Sequence, residues 1–155
     1  MKKWICAIGL AVCILALAAC GNGGQALSLD VDSAAEQMAV QGSFDEPLEK
    51  IGGDIAMKIY QLEPDAVAGS AVYTGTAAVV DEVSVWEARD AAAVKTVEQA
   101  VRARLESQKE SYASYRPEEV PKLDAAVIVS KGNYVALCVS KDSEKAKTVL
   151  EGLLK

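Results

Sequence analysis

With 155 residues, 16 Lys and Arg against 22 Asp and Glu, and a net charge of −6, the chain is long enough for one domain with a real core. That acidity argues against nucleic acid and anionic lipid surfaces as partners. It carries no histidine, so the commonest general base and the commonest metal ligand are both missing: histidine triads and histidine zinc sites are excluded, and neither a cofactor nor a metal is expected.

Residues 1–19 read as a signal peptide. Lys2 and Lys3 form a charged start, residues 4–17 carry no charge, and Ala18-Ala19 supplies a cleavage site of small residues. The apolar run is shorter than the ~20 residues of a spanning helix. Leu17-Ala18-Ala19-Cys20 resembles the lipobox of bacterial lipoproteins. That resemblance implies a diacylglyceryl group on the Cys20 thiol, cleavage just before it, and an extracytoplasmic protein held at the cell membrane by its own lipid. Two or three acyl chains hold a protein stably where one binds only marginally.

Processing at that site removes Lys2 and Lys3 and moves the net charge from −6 to −8. Cys6 and Cys13 leave with the signal and Cys20 is lipidated, so Cys138 is the remaining thiol and no internal disulfide can form. Cys138 sits in an apolar run with strand character, where cysteine behaves as a small buried hydrophobe. No histidine is present to activate it as a nucleophile.

Residues 20–30, rich in glycine at the start, read as the lipidated cysteine and a flexible tether reaching roughly 15–20 Å. The domain is then residues 31–155. Ser33 and Glu36 have capping-box spacing, which predicts a helix to about Gln41, stopped by Gly42. After a connection over 44–48, Asp54 can cap a short helix carrying Ile55, Ile59 and Leu62, ended by Pro64 and Gly69. Residues 71–74 and 77–86, split by Gly75, read as strands.

Asp90 is placed to cap the longest helix. Within it Val94, Val97, Val101, Leu105, Gln108, Tyr112 and Tyr115 recur at spacings of three and four, and Glu98 and Arg102 stand at a favourable i, i+4 pairing distance. Pro117 and Pro121 interrupt the chain around a helical turn. Residues 125–130 and 134–140 follow as two strands joined at Gly132-Asn133, a tight hairpin signal. Ser143 opens a last helix with Ala146, Val149, Leu150 and Leu153 on its apolar face. The order predicts an α+β domain, an antiparallel sheet of about four strands with helices packed on one face.

Two groups of residues stand out as candidate sites. Strand alternation places Asp81 with Val79, Val83 and Val85, and Glu82 with Val80, Ser84 and Trp86. If the long helix covers the Asp81 face, that carboxylate needs a donor, and Arg104 is the candidate. Asp81, Glu82 and Arg104 therefore form either a structural ion pair or a ligand site, unless a bulge turns Asp81 outward. Trp86, Tyr112, Tyr115 and Tyr134 could form an aromatic patch for a carbohydrate or peptide, against the plainer reading as core and rim. No calcium loop or phosphate loop is present. The residues thus favour a non-enzymatic binding or interaction module with an unidentified protein or small-molecule partner. The alternative is a cell-surface hydrolase, which needs two carboxylates within about 10 Å in a cleft.

Ile59-Tyr60, Asp81-Glu82-Val83, the helix segment from Arg102 to Gln108, Tyr115-Arg116-Pro117 and Gly132-Asn133-Tyr134-Val135 carry a further likeness. With the lipobox, they resemble a family of bacterial lipoproteins, mostly from Gram-positive anaerobes, known only as a domain of unknown function. The resemblance implies location and domain extent and brings no activity, ligand or site residue with it.

Overall fold

Gly132 adopts a φ of +57°, and Lys131 pairs with Tyr134 directly across it, so the Gly132-Asn133 signal makes the two-residue hairpin it predicts. Residues 27–155 are described in this computed structural model; the expected signal peptide, Cys20 and the start of the expected tether lie outside them.

The hairpin joins β4 (Val127–Lys131) to β5 (Tyr134–Val139) at one edge of an antiparallel sheet that also contains β1 (Glu49–Ile51), β2 (Val67–Thr74) and β3 (Glu82–Ala88), in the order β1-β2-β3-β5-β4. The described residues hold five strands rather than about four. The addition is β1, a three-residue edge strand pairing Glu49, Lys50 and Ile51 with Thr74, Tyr73 and Val72. The strand expected over 77–86 starts only at Glu82. Gly75 N donates to Asp81 O at 2.9 Å and closes residues 76–80 into a loop. Gly69 lies inside β2, where the register with β3 shifts, rather than ending a helical region.

Helices cover both faces of this sheet, not one. Every residue of β5 is buried: Val135, Leu137 and Val139 join one core, and Tyr134, Ala136 and Cys138 the other. A central strand apolar on both faces needs two covers. The first core is closed by α2 (Gly53–Tyr60), α3 (Val94–Tyr115) and α4 (Val120–Asp124), with Tyr60, Val97, Val101, Leu105 and Leu123 packed on Val72, Trp86 and Leu137. The second is closed by α1 (Val31–Gln41) and α5 (Ser143–Leu153), through Ala34, Ala35, Met38, Ala146 and Leu150.

Aspartates serve three helix starts: at α1 one stands a turn upstream of the Ser33 expected to cap, at α3 it is the expected Asp90, and at α5 it directly precedes Ser143. Asp30, not Ser33, caps α1 and accepts from Ser33 N at 2.7 Å. Asp90 caps a turn ahead of α3, taking Ala92 N and Ala93 N at 2.9 Å each. Asp142 precedes α5 and accepts from Lys145 N. Asp54 makes no cap, and Gly52 holds that position at α2. Among the described residues no helix is long and apolar enough to cross a membrane.

Candidate functional site

Glu82 is the first residue of β3 and shares a sheet face with Ser84 and Trp86, which turns its carboxylate under α3 at 1 % exposure. A charge so placed is tolerated only when its lone pairs are filled. Arg104 and Gln108, one helical turn apart on α3, fill several of them. Arg104 Nη2 donates to Glu82 Oε2 at 2.8 Å, Arg104 Nε reaches Oε1 at 3.4 Å, and Gln108 Nε2 donates to Oε2 at 3.1 Å. From α2 the Tyr60 hydroxyl donates to Glu82 Oε1 and lies 2.9 Å from Ser84 Oγ. Its ring tilts against Trp86 at a centroid distance of 4.7 Å.

Electrostatics fix these protonation states. Burial, and then the Glu82 charge beside it, push the Tyr60 phenol well above its ordinary range, so it remains a donor. For Arg104 burial works against the charge, yet Glu82 offsets this and holds the guanidinium above its usual value.

Gln108 completes the group in an unbalanced way. Its Nε2 must face the Glu82 carboxylate, because the reversed amide would set oxygen against oxygen. Its Oε1 is then buried, with no hydrogen-bond partner among the described residues. Beside it lies a cavity of about 290 Å³, lined by Glu82, Arg104, Ser107, Gln108 and Tyr112 and by the loop that closes onto Gly75. A second cavity of about 300 Å³ shares Ile59, Arg104 and Ser107 with the first.

Asp81 belongs to a different cluster. It is also 1 % exposed, but its partner is Lys122 of α4, at 3.2 Å from Oδ1, and not Arg104. Asp45 N donates to Asp81 Oδ2 at 2.6 Å. Lys122 also contacts Asp45 and, at 2.9 Å, Glu119 Oε2, which in turn accepts from Val80 N. The three carboxylates present oxygens within 4.8 Å of one another, a grouping able to hold a cation, and the Lys122 ammonium contacts all three. The correction has a simple cause. Alternation separates Asp81 from Glu82 correctly, but Val83 and Val85 face α1 and α5, so α3 covers the Glu82 side. Both acids therefore face a cation: Glu82 faces Arg104, while Asp81 faces Lys122 in the company of two other acids.

The four aromatic residues do not form one patch. Trp86 is fully buried, with an indole N–H that has no partner among the described residues. Tyr134 is buried on the opposite sheet face, where its hydroxyl accepts from Leu29 N and donates to Glu87. Tyr112 and Tyr115 remain together, edge to face at 6.1 Å. Tyr112 lines the cavity and donates to the carbonyls of Ala77 and Val79 (3.1 and 3.0 Å), and Tyr115 is 68 % exposed. Cys138 is a buried free thiol that burial pushes up to about 12.

Tyr60, Gln108, Asp45, Glu119 and Lys122 are the participants that sequence reasoning missed, with Gln108 legible only as part of the α3 stripe. Glu119 and Lys122 do carry a signal, i, i+3 spacing across Pro121, but nothing local links them to Asp45 or Asp81.

No curated protein and no solved structure matches the chain. A family model matches residues 41–140, which contain all five strands and every residue of both clusters. The chain therefore belongs to the family described as Domain of unknown function (DUF4358).

Proposed function

We propose that this protein is a lipid-anchored extracytoplasmic binding module, with residues 1–19 removed, residues 20–30 as lipidated cysteine and tether, and residues 31–155 as the domain. Its ligand site is the cavity beside Glu82, Arg104 and Gln108. The observation that carries the site is the Gln108 amide oxygen, which is buried at the cavity wall with no donor among the described residues. An unmet buried acceptor costs about 1–3 kcal/mol and calls for a partner. The anchor rests on the lipobox at residues 17–20. The carboxylate-pair hydrolase is the weaker reading, since Asp81 and Glu82 each hold a paired cation.

Two measurements test this. The Cys20→Ser variant should leave the membrane fraction for the soluble one; continued membrane fractionation would refute the anchor. Native mass spectrometry of the detergent-released protein should show a bound small molecule that the Gln108→Leu variant lacks. A wild-type protein that is ligand-free from every growth condition would count against the site.

A further inference from the structure

We infer that the cavity beside Gln108 takes an uncharged, hydroxyl-bearing ring of the size of one sugar residue. This deepens the binding-module reading and rests on it.

Charge comes first. The ionised groups lining the cavity are Asp81, Glu82 and Arg104. Arg104 is engaged by Glu82 through two nitrogens, and Asp81 is engaged by Lys122. A ligand with a formal charge would find no free counter-charge here and would lose its hydration on entering. A neutral ligand has no such cost.

Hydrogen bonding narrows the class further. Gln108 Oε1 lacks a donor, and Arg104 Nη1, its other two nitrogens committed to Glu82, makes no hydrogen bond among the described residues. The ligand must therefore both donate and accept. A hydroxyl group does both with one atom, whereas a carboxylate only accepts and an ammonium only donates. Ser107 adds a further hydroxyl to the same wall.

Shape and apolar surface agree with a ring. About 290 Å³ is at the lower end for small-molecule sites, enough for one ring and short of an extended chain. Ile59 and Tyr112 supply apolar surface for the C–H face of such a ring, and Tyr112 is held by its bonds to the Ala77 and Val79 carbonyls. Gln108 Oε1 exposes less than 1 Å² in the empty site, so a ligand hydroxyl meets it only when the amide turns towards the cavity.

The test is a titration of the full-length ¹⁵N-labelled protein in detergent, reading the Gln108 side-chain amide and the backbone amides of residues 107–112 by NMR. The probes are glucose and N-acetylglucosamine as neutral rings, glucosamine as a cation and glucuronate as an anion. We expect saturable shifts with a neutral ring, binding weaker by about tenfold or more for both charged rings, and loss of the shifts in a Ser107→Phe variant that fills the cavity. Tighter binding of glucosamine or glucuronate, abolished by Ser107→Phe, would overturn the ligand class and leave the cavity as a binding site. Resonances that no probe moves would overturn both.

Discussion

Arg104 meets Glu82 fork to fork, with Nη2 2.8 Å from Oε2 and Nε 3.4 Å from Oε1, and this contact ties the start of β3 to the middle of α3. The carboxylate is fully enclosed while the Arg104 side chain keeps about a fifth of its surface exposed. The two ends of the pair are therefore not equivalent on deletion.

Arg104→Met should destabilise the fold by about 3–5 kcal/mol, because it strands a buried carboxylate. The double variant Glu82→Met/Arg104→Met should recover part of that loss by removing the stranded charge. Urea unfolding followed by Trp86 fluorescence measures both. A double variant less stable than Arg104→Met would mean that Glu82 is held by Tyr60 and Gln108 alone.

Lys122→Met tests the second cluster through pH. In the wild type the Lys122 pKa lies above its ordinary value: burial opposes the charge, but Asp45, Glu119 and Asp81 more than offset it. Its contribution is thus complete below the unfolded lysine value of about 10.4 and is lost only as pH rises through the higher folded value. The Lys122 hydrogen bond holds the Asp45 carboxyl below its ordinary value, so the Asp45 contribution is present above about pH 3.9 and is lost as pH falls through the lowered folded value. Without the ammonium, three carboxylates whose oxygens lie within 4.8 Å of one another repel, and Asp45 loses the hydrogen bond that holds its carboxyl down. The folded variant then binds more protons than the unfolded chain, so its stability should rise as pH falls from 7 towards 5. A flat profile for the variant over that interval would contradict the clustering.

Cys138 should resist thiol reagents at pH 8 until the protein unfolds, since burial pushes its thiol up to about 12. Stability should decline as pH climbs from the unfolded thiol value of about 8.5 towards the folded one, because only the unfolded chain ionises there. Labelling by iodoacetamide with and without urea checks the first statement. Fast native-state labelling would show that β5 opens locally.

Gly132→Val should cost about 1–2 kcal/mol, the penalty of a left-handed backbone for a residue with a Cβ. The space itself is adequate, with Leu27 only in ordinary contact range of an added Cβ. Gly132→Asn should cost distinctly less. Thermal unfolding of the two variants separates backbone strain from crowding.

Much of the scaffold was legible. The stripe from Val97 to Gln108, the Gly132-Asn133 turn and the last helix follow local rules of period and turn chemistry, and each is present. Edge strand β1 was not legible, since three residues give no period to read and only pairing with Val72, Tyr73 and Thr74 defines it. The second helical layer was hidden because α1 is short and its buried face consists of Ala34, Ala35 and Met38, a weak apolar signal. At the site, alternation separated Asp81 from Glu82, but which helix covers which face is a tertiary fact. That one ambiguity transferred Arg104 from Glu82 to Asp81 and left Lys122 unseen.

The hydrogen bond from Leu29 N to the Tyr134 hydroxyl has a mechanical consequence. Tyr134 lies opposite Glu87 and Val139 opposite Glu82, so the incoming chain meets β3 at one pole and the cavity opens at the other, about 17 Å along the strand. Tension applied through residue 27 is taken up by Leu27, Leu29 and the β4–β5 hairpin, at the end remote from Glu82 and Gln108. The domain can thus be tugged from its N-terminal side while its opposite end keeps its shape.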